Sequence, residues 1–241
     1  HFRSDTVARD ERNKMGHHSY YKVGGSLIRD FQTSRGEMVE RQLRKRGIRD
    51  ERVLAAMAEV PREAFVPKNE ARDAYRDDPI QIGYGQTISQ PFMTALMAAE
   101  LALAGGEIVL EIGAGSGYAA AVLGALAARV ITMEIVPELA EMARLNLQRT
   151  GRDGNVEVVE GDGSRGYLPL APYDGISVAA GAPDIPVALL QQLTDGGRLV
   201  IPVGGWLDQE LRVVTKRGAR IESRLSAYCR FVPLRGGEGW Q

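Results

Sequence analysis

The chain has 241 residues, 44% of them apolar and 25% charged, enough for one large α/β core and too ordinary a composition for wholesale disorder. Thirty basic against thirty-one acidic residues leave a net charge of −1, which excludes a general electrostatic pull on nucleic acid or anionic lipid. Cys229 is the one cysteine, so no intramolecular disulfide and no multi-cysteine metal site can form, and a reducing, cytoplasmic compartment is expected.

Residues 1–36 hold all three histidines (His1, His17, His18), scattered charges and Gly24-Gly25, without a sustained hydrophobic period. They are expected to form an N-terminal arm. The neighbouring His17 and His18 lack a nearby third ligand, so a solvated segment accounts for them better than a metal site. No apolar run of a signal peptide is present. From Glu37 the pattern changes, and Met38, Leu43, Ile48, Val53, Leu54 and Met57 recur amid charges, predicting one or two amphipathic helices in a helical part over 37–78. The basic run Arg41, Arg44, Lys45, Arg46, Arg49, Arg52 is interspersed with Glu40, Asp50 and Glu51, as on a solvated helix face rather than a nucleic-acid patch.

An α/β core is expected over 79–204. Its strand candidates are Ile108–Glu111, Arg129–Glu134, Val156–Glu160, Gly175–Val178 and Arg198–Pro202, alternating with helix candidates Phe92–Leu103, Tyr118–Ala128, Pro137–Thr150 and Pro186–Leu193. That alternation signals a mostly parallel sheet with helices on both faces. Glu210–Lys216 and Arg220–Tyr228, separated by a Gly218 turn, predict a C-terminal antiparallel hairpin within 205–241. The uncharged stretch between Glu111 and Arg129 is broken by Gly113, Gly115 and Gly117 and is shorter than a membrane span.

The segment Ile108 to Tyr118 reads as a buried strand, a glycine-rich turn and a helix start, which brings a ligand close to bare backbone. The third glycine of a dinucleotide fingerprint is replaced by Tyr118. Glu111, just ahead of the turn, suits a cation better than a pyrophosphate, and S-adenosylmethionine carries an ammonium and a sulfonium. Glu134, 21 residues after Gly113, ends the next strand, where a carboxylate can accept ribose hydroxyls. Gly161-Asp162-Gly163 closes the third strand and offers Asp162 to an adenine amino group. Individually these acids read as surface or turn residues; their occurrence at three successive strand ends points to one cofactor site.

The segment Gly85-Gln86-Thr87-Ile88-Ser89-Gln90-Pro91, with Met38–Leu43, Asp77–Ile80, Pro172–Asp174, Gly196–Gly204 and Arg230–Leu234, resembles the protein-L-isoaspartate O-methyltransferase family over residues 38–240. The resemblance implies a Rossmann-like S-adenosylmethionine-dependent methyltransferase fold over 37–241. It implies Gln86, Thr87 and Ile88 in the cofactor site, Gln209 enclosing the cofactor, and Ser89 as the active-site hydroxyl. Val232, Pro233 and Leu234 would bind the substrate peptide as an added strand. For Ser89 the plain alternative is a helix N-cap ahead of Gln90-Pro91.

The implied reaction is methylation of the free α-carboxylate of L-isoaspartyl, and also D-aspartyl, residues in damaged proteins, initiating repair by a metal-free monomer. It has no nucleic-acid or membrane partner. No histidine lies beyond His18, so an imidazole base is absent from the core, and an ionised carboxylate with a pKa of roughly 4 needs none. Where DNA amino-methyltransferases carry an Asn/Asp-Pro-Pro-aromatic motif, this chain has Ser177 to Pro183, mostly small residues. The competing readings are a small-molecule O-methyltransferase of the same fold and a cofactor-binding adaptor without turnover.

Overall fold

The computed structural model describes residues 20–23 and 26–240. His1, His17, His18 and Gly24-Gly25, with the readings attached to them, lie outside the described residues. The remainder of the expected arm contains an antiparallel pair, β1 (Tyr20–Val23) and β2 (Ser26–Arg29). Helix α1 (Phe31–Glu37) then begins six residues ahead of the expected boundary at Glu37 and continues through a π turn over Met38–Leu43 and a 3-10 turn over Arg44–Arg46. The earlier start has a local cause: Asp30 accepts from the Gln32 amide at 3.1 Å and caps the helix. Gly47, at φ 102°, ends it. Asp50 caps α2 (Glu51–Glu59) in the same way.

The basic run is largely committed within the molecule, as expected of a helix face. Arg44 pairs with Glu40 and Glu51, Arg46 pairs with Asp77 and stacks on Phe92, and Arg52 donates to the carbonyls of Leu103 and Leu126.

The central sheet has seven strands in the order β11-β10-β9-β8-β5-β6-β7. β5 (Ile108–Ile112), β6 (Arg129–Glu134), β7 (Val156–Glu160), β8 (Tyr173–Val178) and β9 (Leu193–Gly204) are parallel. The closing hairpin of β10 (Gln209–Arg217) and β11 (Arg220–Cys229) is antiparallel. Chain order runs one way from β5 through β6 to β7 and the other way from β8 to β9, so β5 and β8 flank the point where crevices form above the strand ends.

Alternation along the strands divides the core. Val109, Val130, Val200 and Val213 face α1, α2, α3 (Pro91–Leu101) and α4 (Tyr118–Gly124), while Leu110, Ile131, Leu199 and Val214 face the opposite layer with Leu189. α5 (Pro137–Arg149) and α6 (Val187–Gln191) complete the covering.

Further elements differ from the sequence expectation: α4 stops at Gly124 rather than Ala128, and α6 at Gln191 rather than Leu193. A short hairpin, β3 (Ile80–Gly83) and β4 (Gln86–Ile88), precedes α3, turned by left-handed Tyr84 and Gly85. β9 begins five residues ahead of Arg198, because Thr194 to Gly197 continue the strand through an irregular register around Tyr173 and Gly175.

Candidate active site

Above the carboxyl ends of β5, β6 and β8 lies a cleft of about 830 Å³, its open mouth included. Gln86, Thr87, Ile88 and Ser89 form one wall, Gly113 to Ser116 the floor, and Glu134 to Val136 the far end, with Gly163, Ala179, Ala180 and Val232 to Arg235 closing over it. At Gly113 and Gly115 the backbone disfavours a side chain. Gly113 holds φ +94°, and Gly115 holds φ +53° with Ile82 at 3.2 Å from where its Cβ would stand. On Gly163 a Cβ would press to 2.5 Å from Ile112.

Among the described residues Glu134 is the one acid lining this cleft. Its Oε2 accepts from the Gly115 amide at 2.8 Å and its Oε1 from the Val136 amide at 3.0 Å. Each carboxylate oxygen therefore retains acceptor capacity towards a ligand. Glu111 sits deeper, 1% exposed, in a pocket that shares Ser89, Thr94, Ala119 and Ala179 with the cleft. Burial, reinforced by the Glu134 charge and partly offset by a 2.5 Å hydrogen bond from Thr132, pushes its carboxyl up to about 8. Its environment favours the neutral acid, where the sequence suggested a standing carboxylate.

Ser116, on the glycine turn, was not singled out from sequence. Its buried hydroxyl lines the cleft and has no hydrogen-bond partner among the described residues, a cost that a ligand's polar group would remove. A glycine cradle, an orphaned hydroxyl and a strand-end carboxylate fit a nucleoside carrying an amino-acid tail. Among the described residues no group of His, Cys, Asp and Glu could hold a metal.

Ser89 follows β4 and lines both the cleft and a second groove of about 860 Å³, its open mouth included, formed with Pro79, Gln90, Met93 and Tyr228 to Val232. The capping alternative fails: Gln90 occupies the N-cap of α3, and Asp77 Oδ1 accepts the Phe92 amide at 3.1 Å. The half-buried Ser89 makes no side-chain hydrogen bond among the described residues.

Four expected positions are placed elsewhere. Gly117, at φ +88°, lies outside the cleft's lining, and a Cβ there would meet the Ala143 backbone of α5 at 3.2 Å. Gly161 and Asp162 also lie outside its lining. Asp162 accepts from Ser164 N at 2.9 Å, Ser164 Oγ at 2.6 Å and Gly237 N at 2.8 Å, so it latches the C-terminal tail beside the cleft-lining Gly163. Those hydrogen bonds outweigh its burial and hold the carboxyl below its ordinary range. Gln209 is buried on β10, and its amide brackets Phe231, donating to the carbonyl at 3.2 Å and accepting the N–H at 2.7 Å. It positions the segment that follows and does not line the cleft.

That segment is itself already paired. Val232 O accepts from Gly181 N, and Leu234 N donates to Gly181 O, each at 2.8 Å. Pro233 has no N–H, so a peptide added beside it would find the Pro233 carbonyl rather than a full strand edge. Val232 alone of the three lines both the cleft and the groove.

A family model described as protein-L-isoaspartate(D-aspartate) O-methyltransferase matches residues 33–239. Among curated relatives, a protein-L-isoaspartate O-methyltransferase of Methanoculleus marisnigri is 55% identical over 208 residues, 86% of this chain and 94% of the relative. One from Marinobacter nauticus is 54% identical over 213 residues, 88% and 97% of the two chains. A solved Plasmodium falciparum structure described as a beta-aspartate methyltransferase, in complex with S-adenosyl-L-homocysteine, superposes with a TM-score of 0.73 at 28% identity, covering 83% of this chain and 98% of that one.

Proposed function

The chain belongs to the protein-L-isoaspartate(D-aspartate) O-methyltransferase family, and we propose that it methylates the free α-carboxylate of L-isoaspartyl residues in damaged proteins, initiating their repair. D-aspartyl residues, which the family description also names, are proposed as second acceptors. The observation that carries this reading is the place of Ser89, with Thr87, Ala179 and Val232, on the shared boundary of the cleft and the groove. A transfer enzyme needs its two substrates to meet at one wall, and here that wall bears an uncommitted hydroxyl.

When bound, S-adenosylmethionine supplies a methyl group on a sulfonium, and its transfer to a carboxylate oxygen leaves an ester and S-adenosylhomocysteine without moving a proton. The chain's own residues hold and orient. The turn from Gly113 to Ser116 would cradle the amino-acid portion and Glu134 the ribose hydroxyls. Ser89 would donate one hydrogen bond to the acceptor carboxylate and hold it in line, an orientation effect worth up to about 7–11 kcal/mol in favourable systems. Ile88, Ala179, Ala180 and Val232, which line the cleft there, would exclude water from the meeting point. No base is required, because the acceptor is ionised at neutral pH.

The single cysteine supports a reducing, cytoplasmic setting, and the proposed enzyme acts as a monomer, which light scattering on the eluted protein checks. Incubation with methyl-labelled S-adenosylmethionine and an isoaspartyl peptide tests the function. Base-labile label on the peptide is expected; label confined to free metabolites would favour a small-molecule methyltransferase.

A further inference from the structure

Arg62 is the largest fully buried side chain among the described residues. It stands on a short turn, Arg62–Ala64, just after α2. No carboxylate pairs with it at salt-bridge distance among the described residues. Its Nε donates to the Ala74 carbonyl and its Nη2 to the Ser89 carbonyl, both at 2.7 Å, while Nη1 has no partner among the described residues. The guanidinium carbon lies 4.8 Å from the centre of the Tyr118 ring. Burial lowers its pKa, yet a guanidinium stays protonated in proteins.

A buried cation without a paired carboxylate is costly, even with the Asp77 charge nearby, and an apolar side chain of similar volume would fill the space at lower cost. The arrangement is therefore best understood through what the fork holds. Ser89 lies in the irregular link between β4 and α3, and its carbonyl is fixed by Arg62. Tyr118 is the first residue of α4, directly after the glycine turn, and lines the cofactor cleft. Phe65 packs edge-on against the same ring at 5.7 Å, and Met57 Sδ accepts its hydroxyl at 3.6 Å. One planar group thus bridges the acceptor loop and the cofactor loop.

We propose that Arg62 is a positioning residue for methyl transfer, acting through Ser89: its fork sets the Ser89 backbone against the Tyr118 ring and so fixes where the hydroxyl presents the acceptor carboxylate relative to the cofactor. The proposal rests on the methyl-transfer reading above. Because a misplacement of about 1 Å can cost roughly a hundredfold in rate, the effect should fall on kcat. Lysine keeps the charge and loses the fork, so it restores only part of the function.

The test is a double-mutant cycle. Single-turnover rate, peptide KM and S-adenosylhomocysteine affinity are measured for the parent, Arg62→Met, Ser89→Ala and the double variant, at a temperature where circular dichroism shows each folded. Arg62→Met should slow methyl transfer about 10–100-fold with a peptide KM within about threefold of the parent. Combined with Ser89→Ala it should add less than about threefold, since both changes remove one function. Losses that multiply in the double variant, or a rate within threefold of the parent for Arg62→Met, would overturn the proposal. Should Arg62→Met not fold, Arg62→Lys takes its place, with about a tenfold loss expected and parental kcat overturning the idea. A parent inactive on isoaspartyl peptide would instead sink the underlying reading, and the proposal with it.

Discussion

Replacing Glu111 with glutamine tests whether the floor of the site holds a neutral acid. In the folded chain burial lifts this carboxyl to about 8, whereas in the unfolded chain a glutamate titrates near 4.3. Between those values the native state binds a proton that the unfolded state has lost, so stability falls as pH rises through the window and levels off above it. At about 1.36 kcal/mol per pH unit, the loss across the whole window approaches ~5 kcal/mol as an upper limit. The glutamine side chain of Glu111→Gln cannot titrate, occupies the same volume, and still offers an oxygen to the Thr132 hydroxyl that in the parent meets Glu111 Oε2 at 2.5 Å. Urea unfolding of the ligand-free proteins at pH 5, 6, 7 and 8 should therefore show the variant gaining on the parent by ~2–4 kcal/mol from the lowest pH to the highest, with unchanged m-values. Parallel stability curves, or a parent that gains on the variant as pH rises, would refute the neutral-acid assignment.

Ser89→Ala should leave S-adenosylhomocysteine affinity within about twofold and slow single-turnover methylation about 10–100-fold, the worth of one hydrogen bond to a charged group; equal rates would remove the hydroxyl from the transfer step. Glu134→Ala removes the acceptor for the Gly115 and Val136 amides as well as the proposed ribose contact, and calorimetry should find binding weaker by about 1.5–3 kcal/mol or more. Asp162→Ala frees the Gly237 amide and the Ser164 hydroxyl, so amide exchange at Gly237 and Glu238 should quicken while exchange in β5 stays unchanged. Protection retained at Gly237 would show that the tail is held by other means.

What was legible in the sequence follows the reach of the forces involved. β5 and β6 were readable because buried parallel strands write themselves as apolar runs, edge strand β7 because Val156, Val158 and Val159 recur between glutamates, and the glycine turn because its backbone tolerates little else. The β3–β4 hairpin was hidden because it is short and its identity lies in left-handed residues at Tyr84 and Gly85. The hydrogen bonds that Gln209 and Asp162 make within the fold could not be read from the sequence, because their partners are distant along it: Phe231 is 22 residues from the one, and Gly237 is 75 from the other. Arg62 reads as one more surface charge after Pro61; only the packing of Tyr118, Ala74 and Ser89 around it makes it a buried clamp. The protonation of Glu111 was equally out of reach, because desolvation belongs to the folded environment and not to the residue.

The central claim is that the groove beside Ser89 presents one particular carboxylate to the methyl donor. In an isoaspartyl residue the chain continues through the side-chain carbonyl, so the free carboxylate sits on the α-carbon, one methylene closer to the backbone than in aspartate. Two peptides identical except at that linkage, assayed for kcat/KM with the same S-adenosylmethionine concentration, test the claim most directly. The isoaspartyl peptide should be favoured at least about a hundredfold, the cost of a misplacement of about 1 Å. Comparable values for the two linkages would contradict the account.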